Sequence, residues 1–301
     1  MAGQRPEADG EGLRLGVSVL FATCRHKPAL TSSDELVAAH LRAHGVSSTA
    51  APWDSIAPAQ VGDATVCIRS TWDYHTRSDE FRSWMSALRV NGVKVVNPAE
   101  TVLWNMDKAY LGWLEARGVA IPETRWIAPG SPVELAAMLA DTGWERAVIK
   151  PRVSATAYGT HLVTATTLLD HDAQEALSRS GALLQAFVPE IQVAGEMSLV
   201  FIDGNFSHAV RKQPSPGDFR VQHEFGGTLD PVDVPAPLRD FGARILALIP
   251  GAWTYARVDM IATGSGPLLM ELELIEPDLF FTSLNDGARR LADALRREVS
   301  A

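Results

Sequence analysis

The stretch LLMELELIEPDLFF, residues 268–281, places four carboxylates in an otherwise apolar segment. Glu271 and Glu273 are two residues apart, so on a strand both side chains lie on the same face of a sheet. The leucines on either side of Glu273 lie on the opposite face. A strand at this position would therefore present a line of acidic groups to one side and apolar groups to the other.

A turn at residues 263–266 is predicted to fold this strand back on the strand before it. The hairpin then places Asp259 opposite Met270, within one residue of Glu271, so that three carboxylates converge. Converging carboxylates raise one another's pKa values in a half-buried site unless a cation neutralises them. Oxygen ligands of this type select Mg²⁺ or Mn²⁺, so the hairpin predicts a site for such an ion.

Arg257 precedes Asp259 by two residues and is expected on the same strand face. An arginine beside a metal site is typical of phosphoryl transfer, where cations stabilise the charge of the transferred group. The alternative is an amphipathic strand with leucines packed inward and glutamates in water. The strand pattern alone leaves both interpretations open.

Two lysines come earlier in the chain. Lys150 ends an apolar strand at residues 147–151, and the loop after it, residues 152–160, is rich in small and hydroxyl side chains. Such a loop can fold its amides over a phosphate chain. Lys108 is predicted near the start of a helix over residues 107–117. For each lysine, a solvated surface side chain is the alternative interpretation.

The first part of the chain, residues 13–98, alternates predicted strands and helices, which is the pattern of a parallel sheet with helices on its faces. It contains neither GxGxxG nor GxxxxGK[ST], so no phosphate-binding fingerprint is present. The loop at residues 69–74 follows the third strand, where open α/β sheets present ligand-contacting side chains. A capped turn with an aromatic plug is the alternative for this loop.

The rest of the chain predicts two α+β units joined by an apolar connector at residues 183–189. A connector with exposed backbone amides is a natural adenine slot, although an interior strand leading into a turn has the same pattern. The second unit is predicted to contain a hairpin turning at Asp203-Gly204, a long polar loop over residues 213–231 and a C-terminal helix from about residue 285.

Composition excludes several classes of protein. The chain has 301 residues and a net charge of -9, which disfavours nucleic-acid binding. Its two cysteines form neither a disulfide framework nor a zinc-binding pattern, which fits a reducing cytoplasm. No apolar run approaches the ~20 residues of a membrane span, and residues 1–13 are predicted to be a disordered leader.

In chain order, Lys108, Lys150-Pro151, the connector, Arg257-x-Asp259 and Glu271-x-Glu273 resemble the ATP site of the ATP-grasp carboxylate ligases. The resemblance implies an α/β protein with the ATP-grasp fold: an N-terminal Rossmann-like pre-ATP-grasp lobe and two α+β lobes gripping ATP. The implied boundaries of the pre-ATP-grasp domain, the central ATP-grasp subdomain and the C-terminal subdomain with the metal site are 14–99, 100–188 and 189–301.

The resemblance further implies a cytoplasmic ligase that uses ATP and Mg²⁺, with Mn²⁺ as a substitute, and acts on a small amino-acid-like carboxylate. The carboxylate would be activated as an acyl phosphate, and a nitrogen would then displace phosphate. Residues 69–74, 150–154 and 271–281 are similar to a branch of the family in which ATP closes O-ureido-D-serine to D-cycloserine. Relatives of this kind often form homo-oligomers.

Two other functions stay open at this point. The first is an intermolecular amino-acid or peptide ligase of the glutathione synthetase type, which residues 187–196 also resemble and which would need an added amine. The second is a nucleotide-binding regulator that keeps the fold without turnover.

Roles for individual residues also follow from the resemblance. The expected metal ligands are Asp259, Glu271 and Glu273. The expected ATP contacts are Lys108, Lys150, Ser154, Gln185, Phe187, Val188, Glu190, Glu196 and Arg211. The expected catalytic cations are Arg257, Arg220 and Lys150. The expected substrate contacts are Arg69, Thr71, Trp72, Asp73 and Arg220, and His223 and Glu224 are candidates to position a water molecule.

Overall fold

The computed structural model describes residues 18–215, 217–221, 226–282 and 285–300. The leader predicted over residues 1–13 lies outside the described residues. Within those residues, no helix is long and apolar enough to cross a membrane. Three sheets organise this part of the chain.

The first sheet is parallel and has the strand order β2-β1-β3-β4. Its elements are β1 (Ser18–Thr23), α1 (Ser32–Ala43), β2 (Ser47–Pro52), β3 (Thr65–Ile68), α2 (Ser78–Val90) and β4 (Val95–Val96). The Thr31 hydroxyl accepts a hydrogen bond from the Asp34 amide at 3.0 Å and caps α1. The parallel sheet predicted for this region is confirmed.

The helix predicted over residues 107–117 is present but shorter in the structure, where α4 spans Tyr110–Glu115 and Lys108 lies in the turn between it and α3 (Ala99–Asn105). The Asp107 carboxylate accepts a hydrogen bond from the Ala109 amide at 2.8 Å and two from the Arg152 guanidinium, at 2.9 and 2.6 Å. This side chain holds the backbone in a turn, so the second helix begins only at residue 110.

The second sheet is antiparallel and has the order β5-β8-β6-β7. Its elements are β5 (Thr124–Ile127), α5 (Leu135–Thr142), β6 (Ala147–Pro151), β7 (His161–Val163), α6 (His171–Ser180) and β8 (Ala182–Ala186). Ile149 and Leu184 of the sheet pack with Leu139 and Leu177 of the two helices in one buried cluster. This packing covers one face of the sheet with the helices.

The third sheet is antiparallel and has the order β11-β10-β9-β12-β13. Its elements are α7 (Glu190–Ala194), β9 (Glu196–Ile202), β10 (Asn205–Gln213), β11 (Thr228–Pro231), α8 (Ala236–Ala247), β12 (Tyr255–Thr263), β13 (Gly266–Glu273) and α9 (Gly287–Ser300). The uninterrupted loop predicted over residues 213–231 is wrong, because β11 pairs with β10. All four residues of β11 are exposed, so the strand carries no apolar alternation that a sequence pattern could detect.

A bulge changes the register of the acidic hairpin. Met260 pairs with Leu269, which leaves Met270 without a partner, and Asp259 pairs directly with Glu271. The predicted pairing of Asp259 with Met270 is therefore wrong by one residue. A bulge of this kind inserts one residue into one strand and re-aims the side chains that follow it. The result is that Asp259 lies across from Glu271 and Arg257 lies across from Glu273.

The free edge of β13 is covered by side chains from the segment that links the first two sheets. The Asn105 amide donates to the Leu272 carbonyl at 2.9 Å and accepts from the Leu274 amide at 2.8 Å. The Tyr110 hydroxyl accepts from the Leu272 amide at 3.0 Å. These contacts satisfy backbone groups that an edge strand would otherwise expose, and they hold the acidic strand in place.

Gly195 provides a test of the junction between α7 and β9. Its backbone angles, φ +73° and ψ −172°, belong to a region that is almost restricted to glycine, and a Cβ there would lie 2.4 Å from the Lys212 carbonyl oxygen. Gly204 also has a positive φ, +78°, but a Cβ there would meet nothing within 4 Å. We expect Gly195→Ala to reduce the free energy of unfolding in urea by about 1–3 kcal/mol more than Gly204→Ala does. Equal losses would contradict the close approach.

Candidate active site

A cavity of about 440 Å³ lies where the three sheets meet. The first sheet contributes the loop after β3. The second contributes β6, β8 and the loop at residues 152–160. The third contributes residues of β9, β10, β12 and β13. The cavity therefore joins the segments that the sequence singled out for chemistry.

One end of the cavity is apolar. Val188, Ile191 and Ile261 form a buried cluster there, with Phe187 and Met270 packed against it. All three residues predicted to frame adenine, Gln185, Phe187 and Val188, line the cavity, and two of them, Phe187 and Val188, take part in this apolar cluster. A flat nucleobase requires such apolar walls.

Of the two predicted lysines, Lys150 lines the cavity, whereas Lys108 is buried and does not line it. Lys108 Nζ lies 3.0 Å from Glu271 Oε1 and donates a hydrogen bond to the Ser154 carbonyl at 2.6 Å, so it joins the acidic strand to the loop after β6. Lys150 lines the cavity, and among the described residues none forms an ion pair with it. Burial lowers the pKa of the Lys150 ammonium, while the nearby Glu271 carboxylate opposes that shift.

Asp259 is the most tightly held of the predicted metal ligands. Its oxygens accept hydrogen bonds from the Ser198 hydroxyl at 2.6 Å and from Arg257 Nε and Nη2, both at 2.9 Å, and Lys212 Nζ lies 3.2 Å away. Burial works against ionisation, yet Arg257 and Lys212 hold the pKa of Asp259 well below its usual range. Asp259 is therefore charged and already compensated by protein groups.

Glu271 and Glu273 are more accessible. Their side chains are 30% and 25% exposed, against 4% for Asp259. Burial raises the pKa of Glu273 to about 7, together with repulsion from Asp259 and Glu271 and against the attraction of Arg257, which is its ion-pair partner. For Glu271 burial also disfavours the charge, but Lys108 and Lys150 lower its pKa overall.

The predicted metal ligands have the oxygen donors that a divalent cation needs, but each of them already has a protein partner. Among the described residues, no three acidic, histidine or cysteine side chains form a ready cluster for a metal ion. Each predicted ligand instead contacts a lysine or arginine. The chemistry of the donor set nevertheless fits Mg²⁺, because the Glu271 and Glu273 oxygens face one cavity and their mutual repulsion would be relieved by a hard cation. The metal-ligand roles stay predictions.

Lys212 is a cavity residue that the sequence analysis missed. Its ammonium lies 2.5 Å from Glu196 Oε1, and its side chain is 7% exposed. Counting outward from the Asp203-Gly204 turn pairs Glu196 with Arg211, but a bulge between Phe206 and His208 shifts the register and pairs Glu196 with Lys212. Glu196 and Lys212 line the cavity, whereas the predicted ATP contact Arg211 does not.

The loop at residues 69–74 only partly reaches the cavity. Trp72 lines it, whereas Arg69, Thr71 and Asp73 do not. Arg69 is buried and donates to Asp34 Oδ1 at 2.7 Å and to the Pro277 carbonyl at 2.9 Å. Asp73 accepts from Trp53 Nε1 and from Arg77, both at 2.8 Å. The structure thus places three of the five predicted substrate contacts outside the lining of the cavity.

Of the remaining predicted residues, some line the cavity and others do not. Ser154 and Arg220 line the cavity, and Arg220 forms an ion pair with Asp218 at 2.8 Å. Glu190, at the start of α7, does not line it. His223 and Glu224 lie outside the described residues.

Comparisons with known proteins extend over most of the chain. A family model described as "D-cycloserine synthetase DcsG, N-terminal domain" matches residues 19–97. The "Cycloserine biosynthesis protein DcsG" of Streptomyces lavendulae is 30% identical over 275 residues, which are 86% of this chain and 91% of that protein.

Solved structures are also similar to this chain over most of its length. The crystal structure of D-cycloserine synthetase DcsG has a TM-score of 0.78 and 25% identity, and the match covers 94% of this chain and 99% of that one. A RimK domain ATP-grasp protein from Sphaerobacter thermophilus has a TM-score of 0.65 and 21% identity, with 94% and 98% covered. The similarity therefore includes all three sheets.

The contacts of Lys212 lead to a prediction about stability. Lys212→Met would leave Glu196 without its cation in a buried position, so we expect a loss of about 3–5 kcal/mol in the free energy of unfolding, measured in urea. Arg211→Met, one residue away and outside the cavity, is the matched control and is expected to cost clearly less. The double variant Lys212→Met, Glu196→Leu should recover part of the loss. A larger effect at Arg211 would contradict the observed register.

Proposed function

Because the chain belongs to the family of D-cycloserine synthetase DcsG, within the ATP-grasp ligases, we propose that it closes O-ureido-D-serine to D-cycloserine with ATP and Mg²⁺. The predicted family and the predicted ATP-grasp fold are confirmed. The specific substrate rests on similarity to DcsG along most of the chain and on the arrangement of the cavity.

The order of chemical groups along the cavity is the observation that carries the proposal. From β13 onward the wall passes from Met270 in the apolar cluster, through Glu271 and Glu273 with their cations, to Glu276 beside Trp72. This order suits a nucleobase, a phosphate chain and a small carboxylate in succession. We assign ATP to the interface of units 100–188 and 189–301 and the substrate to the side of unit 14–99.

In the first step, the substrate carboxylate attacks the γ-phosphorus of ATP, forming an acyl phosphate and releasing ADP. Glu271 and Glu273 would hold Mg²⁺, which when bound supplies positive charge to the phosphate oxygens. Lys150, which lines the cavity, would stabilise the charge of the transferred group, and Lys108 is assigned the same role through its contact with Glu271. Arg257 keeps Glu273 oriented, and we assign Arg220 to the substrate carboxylate or acyl phosphate.

In the second step, the ureido nitrogen bonded to the side-chain oxygen attacks the acyl carbon of the same molecule. A C–N bond forms, phosphate leaves and the nitrogen loses its proton. Intramolecular attack has a high effective concentration, so the walls need mainly to exclude water from the acyl phosphate. One water molecule then hydrolyses the N-carbamoyl group to CO₂ and ammonia, which leaves D-cycloserine.

The proposal is tested by measuring ADP release from ATP and Mg²⁺ with and without O-ureido-D-serine as the sole added substrate, with products identified by mass spectrometry. We expect ADP together with the mass of D-cycloserine. If ADP appears only when an amine is also added, the chain is an intermolecular ligase. If ATP binds but no carboxylate stimulates ADP release, the chain is a nucleotide-binding regulator.

Lys150→Ala is expected to reduce kcat for ADP release by about 10²-fold or more, because it removes a preorganised charge from the transferred phosphoryl group. Lys94→Ala is the control, since Lys94 is exposed and its ammonium faces Glu298 on α9, outside the cavity. A rate near that of the unmodified enzyme for Lys150→Ala would remove this lysine from the reaction.

A further inference from the structure

Glu276 lies three residues beyond the end of β13, in the cavity wall next to Trp72 and Tyr74. The Trp72 indole donates a hydrogen bond to the Glu276 carbonyl at 3.1 Å, and Arg69 donates to the carbonyl of the next residue, Pro277, at 2.9 Å. The loop after β3 therefore holds the main chain of this segment in place. The side chain of Glu276 takes part in neither contact.

Glu276 differs from the other carboxylates of the cavity in its contacts. Each carboxylate of the cavity that lies on a strand contacts a lysine or an arginine. These contacts are Glu196 with Lys212 at 2.5 Å, Asp259 with Arg257 at 2.9 Å, Glu271 with Lys108 at 3.0 Å, and Glu273 with Arg257. Asp278 is exposed, and its Oδ1 accepts from the Phe280 amide at 2.9 Å. Within the described residues, no other residue forms an ion pair with the Glu276 carboxylate or donates a hydrogen bond to it.

Burial raises the pKa of the Glu276 carboxyl well above its usual range, with repulsion from Glu273 and Glu271 and against the attraction of Lys108. The side chain therefore takes up a proton unless a cation from outside the protein binds it and keeps it ionised. The position of Glu276 identifies the source of that cation. The residue lies past Glu271 and Glu273, on the Trp72 side of the cavity, where the substrate is assigned. A substrate group rather than a nucleotide group is therefore expected to meet it.

We infer that the Glu276 carboxylate binds the ammonium group of an amino-acid substrate and so selects amino acids over carboxylates without an amine. This inference rests on the proposed function, in which the ureido nitrogen reacts and the α-ammonium does not. The ammonium can then stay bound from substrate to product. Glu276 is thus a specificity-determining residue that touches the substrate away from the reacting atoms.

The test compares the binding of two ligands by calorimetry, in the presence of Mg²⁺ and a non-hydrolysable ATP analogue. The ligands are O-ureido-D-serine and 3-(ureidooxy)propanoate, which lacks only the ammonium group. We expect the unmodified protein to bind the first about tenfold or more tightly than the second, and Glu276→Gln to reduce that ratio to near one. Glu175→Gln, an exposed carboxylate on α6 outside the cavity, should keep the ratio.

Binding of the ATP analogue reports whether each variant is folded. If Glu276→Gln loses it, Glu276→Asp takes its place and is expected to reduce the ratio in part. An unchanged ratio in the folded variant overturns the inference, and so does a shift in the Mg²⁺ titration midpoint at constant ratio, which would assign Glu276 to the metal. Because binding needs no turnover, a protein that shows the expected ratio but forms no ADP would refute the proposed cyclisation and leave the ammonium site standing.

Discussion

The Arg257 guanidinium connects carboxylates on two neighbouring strands, Asp259 on β12 and Glu273 on β13. Asp259 also forms an ion pair with Lys212 of β10 and accepts a hydrogen bond from Ser198 of β9. Buried ion pairs of this kind seldom add much net stability, because desolvation offsets most of their attraction. Their contribution here is to fix the orientation of the charged side chains. Charges that are fixed before the substrate arrives need no reorganisation during phosphoryl transfer, and this is the condition under which electrostatic catalysis is most effective.

That orientation would be lost if β13 could shift, since β13 is the edge strand of its sheet. Asn105 and Tyr110 prevent this by bonding the backbone of Leu272, and Asn97 adds hydrogen bonds to the carbonyls of Tyr255 and Leu274, both at 2.8 Å. Further along, the loop after β3 bonds the carbonyls of residues 276 and 277. The acidic segment is therefore held by the sheet on one side and by the linker and first lobe on the other.

The sequence predicted much of this architecture because strong local patterns coincide with tertiary packing. Strand β6 has the predicted bounds, residues 147–151, and the predicted turn at Asp203-Gly204 joins β9 to β10, because both places combine suitable propensities with clear boundary residues. Two of the errors at the site, both in strand pairing, have the same physical origin. A bulge at Met270 and another near Ser207 each change the pairing by one residue, so Asp259 meets Glu271 and Glu196 meets Lys212. Since a bulge depends on strand curvature and packing, neither has a signature in residue type alone.

Residue type also does not separate side chains that touch a ligand from those that support the wall. Arg69 has the chemistry of a carboxylate-binding residue, but its charge is matched by Asp34 at 2.7 Å and it acts by holding Pro277. Glu276, on the segment that Arg69 holds, has no such match among the described residues. A buried charge that the protein already compensates is part of the scaffold, because a ligand would have to break that contact to use it. A buried charge that the protein leaves uncompensated is available to a ligand of opposite sign. Charge pairing in the folded chain, rather than motif membership, is therefore the observation that supports a scaffold role for Arg69 and the proposed substrate contact of Glu276.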